Sequence, residues 1–205
     1  MRVSSHLSNT VRRAPQQDRS TRRVAAFLEA GDSLFAELGF EGTTMTAIAD
    51  RAGSSIGALY SYFPDKKALA MALLDIYAAR IEQHWKPLFD EVKELSAKQF
   101  SERFLDGFLN FITANPGYLQ LQTAPIRLRR TAAAKRAFRA TLIDALRRRL
   151  PSLTIESAQL RAGVMLQIVR GMMQMYAEAD FAQKAVVVEE FKIALTAYIT
   201  TVFFA

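Results

Sequence analysis

Apolar residues recur three or four positions apart along almost the whole chain, and the alternation expected of strands is scarce. From Ser20 to Leu38, residues Val24, Phe27, Leu34 and Leu38 fall on one helical stripe, and Gly39 offers a left-handed stop. Residues 44–51 place Met45, Ile48 and Ala49 on one face behind Thr44, a good N-cap, and Gly53 breaks that helix. A short helix over 55–62 follows behind Ser54 or Ser55. Pro64 ends it, because the residue before a proline disfavours helix. Asp65 then caps a long helix to about Val92. Further helices are predicted over 97–114, 116–124, 128–149, 155–178 and 184–203. Asn115-Pro116 reads as a cap followed by proline at the first helical position, and Pro151 closes the helix before it. Asp180 separates the last two helices only loosely. The pattern predicts an all-α fold.

Within it, the segment TMTAIADRAGSSIGALYSYF (Thr44–Phe63) pairs two short helices through a tight turn at Gly53. Ala49 is small enough for the second helix to cross closely over the first. Ile48, Ala52 and Leu59 are expected to pack between them. This is the physical pattern of a helix-turn-helix, whose second helix fits a major groove about 12 Å wide. Its outer face would show Ser55, Ile56, Gly57, Ala58, Ser61 and Tyr62. Small residues let such a helix sit deep, hydroxyls reach phosphates or base edges, and Ala58 could touch a thymine methyl. Spacing alone leaves the alternative of an ordinary αα-hairpin open.

Composition narrows the classes. The chain has 205 residues, half of them hydrophobic, so it can bury one large core or two smaller ones. It has no cysteine, which removes disulfide scaffolds, thiolate zinc sites and thiol catalysis. No apolar run reaches the length of a membrane span, and arginines occupy the place of a signal peptide's apolar centre. A cytoplasmic protein without membrane contact is expected. The net charge of +7 is unevenly placed. Residues 1–23 carry +5 and residues 127–149 carry +8, whereas 24–126 carry −5 and 150–205 carry −1. The first block contains Arg19, Arg22 and Arg23, where a basic chain can reach phosphates or a minor groove. A solubilising tail is the other reading. The second block is an amphipathic helix with a basic face, expected to be solvated beside acidic surface from 24–126. Entry of an anionic ligand past it, and direct contact with nucleic acid or membrane, are the alternatives.

At the helix-turn-helix the sequence resembles the tetracycline-repressor (TetR/AcrR) family of bacterial transcriptional regulators, from about Arg22 to Leu69. The resemblance is carried by Ala30, Leu34-Phe35, Gly39-Phe40, Thr43-Thr44, Ile48-Ala49, Ala52-Gly53, Gly57, Leu59-Tyr60, Tyr62-Phe63, Lys66 and Ala68-Leu69. It implies a dimeric regulator of about nine helices. A flexible basic arm would span 1–18, a DNA-binding domain of three helices 19–66, and a ligand-binding and dimerisation domain 67–205. It further implies that Thr44 caps the second helix and bonds a phosphate, and that Thr46 lies near the groove edge. Ser55, Ile56, Gly57, Ala58 and Ser61 would face bases, and Tyr60, Tyr62 and Lys66 would hold phosphates. Ser54, Ile56 and Ser61 depart from the residues usual in the family at their positions. The recognition helix has no Arg, Asn or Gln for bidentate base contacts, so specificity would lean on shape, water or the arm.

The C-terminal part is read for a partner and a ligand. Residues 157–178 are apolar almost all round and need cover on both sides. Leu160, Val164, Ile168 and Met175, with Val187, Phe191, Leu195, Tyr198 and Val202 on the last helix, fit a four-helix homodimer interface. Flexible thioethers suit a pocket for irregular apolar ligands, although methionine also simply fills cores. The candidate effector residues are Phe104, Phe108, Phe111, Tyr118, Met165, Met172, Met173 and Tyr176, with Gln122 and Gln167 among the polar contacts. No cofactor or metal is implied. The functional expectation is a repressor released from a palindromic operator on double-stranded DNA when a largely apolar small molecule binds. A helical interaction module and a helical enzyme are the alternatives. No HExxH, glycine-rich phosphate loop or GxSxG favours the enzyme.

Overall fold

A computed structural model describes residues 13–124 and 132–203. Among these there are nine helices and no strand. They are α1 (Arg13–Gly42), α2 (Met45–Arg51), α3 (Ile56–Tyr62), α4 (Lys66–Asp90) and α5 (Ala97–Ala114), then α6 (Pro116–Thr123), α7 (Ala132–Arg149), α8 (Ile155–Glu178) and α9 (Phe181–Phe203). Residues 1–12 of the expected arm, and Arg127, Arg129 and Arg130 of the second basic block, lie outside the described residues.

Local chemistry sets most boundaries. The side chains of Thr44, Ser55, Asp65, Ser96 and Thr154 each accept a backbone N–H in the first turn of the helix they precede. Ser96 and Gln99 complete a reciprocal capping box. Asp180 does more than separate two helices loosely, since its carboxylate accepts from Gln183 N at 2.9 Å and starts α9 three residues earlier than the pattern places it. The expected flexible arm is also shorter, because residues 13–18 already belong to α1. Pro15 falls in the first turn, where a helix does not need its missing N–H, and Asp18 and Arg22 pair one turn apart at 3.6 Å.

The helices form a head and a body that share one buried apolar cluster. In the head, Phe27, Phe35, Ile48 and Leu59 are fully buried between α1, α2 and α3. The long α4 leaves the head and becomes a wall of the body, where Trp85 and Phe89 meet Phe104 of α5 and Phe138 of α7. Helix α6 lies along α1, so the two parts touch a second time. Gly117 permits that approach. A Cβ there would lie 2.1 Å from Asp32 Oδ1 and 2.9 Å from the Asp32 carbonyl oxygen. At the same point the buried Tyr77 hydroxyl of α4 donates to Asp32 Oδ1. Burial, together with the Asp32 carboxylate, pushes the Tyr77 phenol up, so it stays a donor.

Candidate nucleic-acid interface and its supporting body

Helices α2 and α3 are joined by a turn that reverses the chain within four residues. Gly53 takes φ 60°, a conformation that strains other residues, and the Ser54 N–H donates back to Ala49 O at 3.0 Å. Thr43 is buried, and its hydroxyl donates to Gly39 O at 2.8 Å and Leu34 O at 3.1 Å, holding the segment that leads into α2 against α1. Arg51 of α2 makes a two-pronged pair with Glu37 of α1 at 2.7 and 2.9 Å. That hydrogen-bonded guanidinium holds the Glu37 carboxyl below its usual range.

On this frame α3 turns Leu59 inward and exposes Ile56, Gly57, Tyr60 and Ser61. Ile56 is 39% exposed and Tyr60 51%, unusual for residues of their size. A Cβ added at Gly57 would meet nothing within 4 Å, so that surface is open. Thr44 Oγ1 accepts from Ala47 N at 3.1 Å, which leaves its hydroxyl proton for a phosphate. Thr46 is exposed nearby, and Arg19, Arg22 and Arg23 are exposed on α1. Ser20, among those arginines, bonds the Tyr62 hydroxyl at 3.1 Å, so this basic end of α1 flanks the end of α3.

Three residues expected on the DNA face are engaged elsewhere. Lys66 aims its ammonium at the carbonyls of Phe40 (2.5 Å), Thr43 (2.7 Å) and Glu41 (3.3 Å) and lies 4.4 Å over the Phe40 ring. It closes the C-terminal end of α1, where carbonyls lack helical partners. Tyr62 is half-buried, its ring 6.0 Å from Phe27. Ala58 is half-buried against the core, one position off the outward face.

In the body, Phe104, Phe108, Phe111 and Tyr118 are buried, as are Met165, Met172 and Met173. The aromatic members surround residues that the apolar stripe did not single out. Trp85 stands 4.4 Å from Phe108 and 5.7 Å from both Phe111 and Phe138, and Tyr77 stands 5.3 Å from Tyr118. The Trp85 indole N–H is buried without an acceptor among the described residues. Beside it, His84 Nε2 lies 2.9 Å from Gly107 O at the edge of a cleft of about 310 Å³ that Arg80, Asn110 and Phe111 also line. Gln122 and Tyr176 are half-buried. Gln167 departs from the expected set. It is exposed on the outer side of α8, in a groove with Leu160, Val164 and Arg139, because the helical period turns it away from Met165 and Met172.

That outer side carries the candidate partner surface. Leu160 is 70% exposed and Met175 is also exposed, while Val164 and Ile168 are half-buried. On α9 the expected stripe is rotated. Leu195 is fully buried within its own chain, and Val187, Phe191, Tyr198 and Val202 are half-buried. The residues that face outward are Val186 and Ile193, with Phe181 exposed at 94% at the start of the helix. An almost wholly apolar helix does not reveal which side it buries. In the second basic block, Arg148 pairs with Asp144 at 2.9 Å and approaches Asp90 of α4 at 3.8 Å, so acidic surface does meet it. Arg136 and Arg139 are exposed.

Residues 27–73 match the model of bacterial regulatory proteins of the tetR family, and residues 97–199 match the tetracyclin repressor-like C-terminal domain. The chain belongs to the tetR family of regulatory proteins. It is thereby a DNA-binding regulator, not an enzyme. It is similar to the HTH-type transcriptional repressor AcnR of Corynebacterium glutamicum, 36% identical over 66 residues, which are 32% of this chain and 35% of that protein. The match thus spans about a third of the relative's length. In fold it is similar to a TetR-family regulator from Streptomyces coelicolor, with a TM-score of 0.65 and 20% identity over 88% of this chain and 99% of that one. It is equally similar to the regulator FadR from Bacillus subtilis, solved in complex with stearoyl-CoA, with a TM-score of 0.65 and 15% identity over 87% and 98% of the two chains. Among the described residues no helix is long and apolar enough to cross a membrane.

Proposed function

We propose that the protein is a homodimeric repressor that leaves a palindromic operator when a small, largely apolar molecule enters its body. The observation that carries this reading is the double attachment of head to body. Helix α4 runs from the head into the aromatic core, and α6 rests on α1 at Asp32 and Gly117. A rearrangement around Phe111 or Tyr118 therefore reaches the head through packed contacts, which is coupling between two distinct sites. Arg19, Arg22, Arg23, Thr44, Thr46 and Tyr60 would position the head on phosphates, while Ile56, Gly57 and Ser61 would face bases. The buried indole N–H of Trp85 supports an effector that brings a hydrogen-bond acceptor into an otherwise apolar seat. The repressor relative and the stearoyl-CoA-bound neighbour support repression and an apolar effector respectively. The exposed apolar residues Leu160 and Met175 of α8 and Phe181, Val186 and Ile193 of α9 support a second copy of the chain as partner.

The test is a gel shift against DNA flanking the protein's own gene, followed by a screen for molecules that release the complex. Retarded DNA that an apolar compound releases is the expected result. A chain that shifts no DNA under low salt, or one that binds as a monomer, overturns the reading.

A further inference from the structure

The exposed face of α3 has an uncommon chemistry for a surface that reads sequence. Ser55 Oγ accepts from Ala58 N at 3.2 Å, and Ser61 Oγ donates to Ala58 O at 2.6 Å, so each hydroxyl spends one of its bonds on the helix's own backbone. Gly57 presents no side chain, and Ala58 has turned toward the core. The segment offers no Arg, Asn or Gln for a bidentate contact to guanine or adenine. Beside the Ser55 hydroxyl, the leading end carries Ile56, wholly apolar, on the side that a groove would cover. The surrounding charge fits a polyanion, since Arg19, Arg22 and Arg23 are exposed on the helix whose Ser20 bonds Tyr62 at the far end of α3.

A major-groove floor has one apolar group to offer, the C5-methyl of thymine. We infer that Ile56 is a specificity-determining residue that packs on a thymine methyl, so each operator half-site carries a thymine where Ile56 lands. This rests on the DNA-binding reading and sharpens it, because it names the chemical feature that is read. Open space at Gly57 lets the helix approach closely enough for that contact. With little hydrogen-bonded readout on the helix, one methyl contact carries a large share of the base discrimination.

The experiment uses the full-length protein and an operator selected by it from random duplex DNA. Each thymine is replaced in turn by deoxyuridine, which pairs identically and lacks only the methyl. Burial of one such group corresponds to about fourfold in affinity, so symmetric replacement in both half-sites should weaken binding by about 15-fold. That loss should appear at a single thymine per half-site. In Ile56→Ala the thymine-to-uracil affinity ratio at that position should fall to about one, and in Ile56→Val it should survive in part. An operator indifferent to uracil throughout, or a thymine preference unchanged in Ile56→Ala, overturns the inference while leaving DNA binding intact. A protein that enriches no sequence overturns both. Circular dichroism of the variants checks that the head still folds.

Discussion

Tyr77→Phe removes one oxygen atom at the junction between head and body. The ring stays, with its edge contacts to Phe111 at 6.5 Å and Tyr118 at 5.3 Å, so little packing is lost. The loss is the hydrogen bond to Asp32 Oδ1. Water cannot readily replace it, because Gly117 occupies the approach so closely that even a Cβ there would overlap Asp32. A hydrogen bond to a charged acceptor contributes about 1.5–3 kcal/mol, and the screened site favours the middle of that range, about 2 kcal/mol. With a urea slope of about 2 kcal/mol/M, the unfolding midpoint should fall by about 1 M. Asp32→Ala alone should be similarly destabilising. The double variant should fall well short of the sum, with a coupling energy of about 1–2 kcal/mol. A Tyr77→Phe midpoint within about 0.2 M of the parent, or additive losses in the double variant, would refute the assignment of this bond as the tie between α1 and α4.

Other expectations follow from the same geometry. Gly117→Ala should lower thermal stability by about 1–3 kcal/mol, since a backbone carbonyl blocks the new methyl and cannot swing aside; an unchanged melting curve would contradict the close approach. Glu37 titrates below its ordinary value, so its pair with Arg51 stabilises the fold above the unfolded carboxyl's pKa and is lost as pH falls through the lowered one. Glu37→Gln should therefore lower the urea midpoint at pH 7, by an amount that shrinks as pH falls through the lowered value, and a difference that stays constant into acid would exclude the pair as its cause. In salt titrations of operator binding, Arg22→Ala should reduce the slope by about one and Lys66→Met should leave it unchanged; a reduced slope for Lys66→Met would return that lysine to the phosphates. Leu160→Glu combined with Ile193→Glu should sediment as a monomer with native helix content, and a persistent dimer would place the partner surface elsewhere.

Signals that act within a few residues were legible in the sequence. Thr44, Ser55 and Asp65 announce helix starts because a short oxygen-bearing side chain reaches the N–H three residues on. Gly53 marks the turn because left-handed backbone disfavours other residues. Contacts between distant segments leave no such local mark. Lys66 and Phe40 are 26 residues apart and Tyr77 and Asp32 are 45 apart, and only the packing of α4 on α1 brings them together. The resemblance therefore points Lys66 at phosphates, whereas its ammonium lies on three backbone carbonyls. On α9 the obstacle was of another kind. With Val186, Val187 and Val188 in succession, periodicity names a helix and not its buried side, so the stripe points Leu195 at a partner and passes over Ile193.

Trp85 has one more consequence. It is the sole tryptophan of the chain, 1% exposed and ringed by phenylalanines in the body, with none in the head. Its emission therefore reports on the body alone. A molecule that seats itself there shifts or quenches that emission without any label, while DNA bound at α3 is silent unless it is felt across the junction. A change in tryptophan emission on adding operator DNA would therefore be a direct optical record of the head speaking to the body.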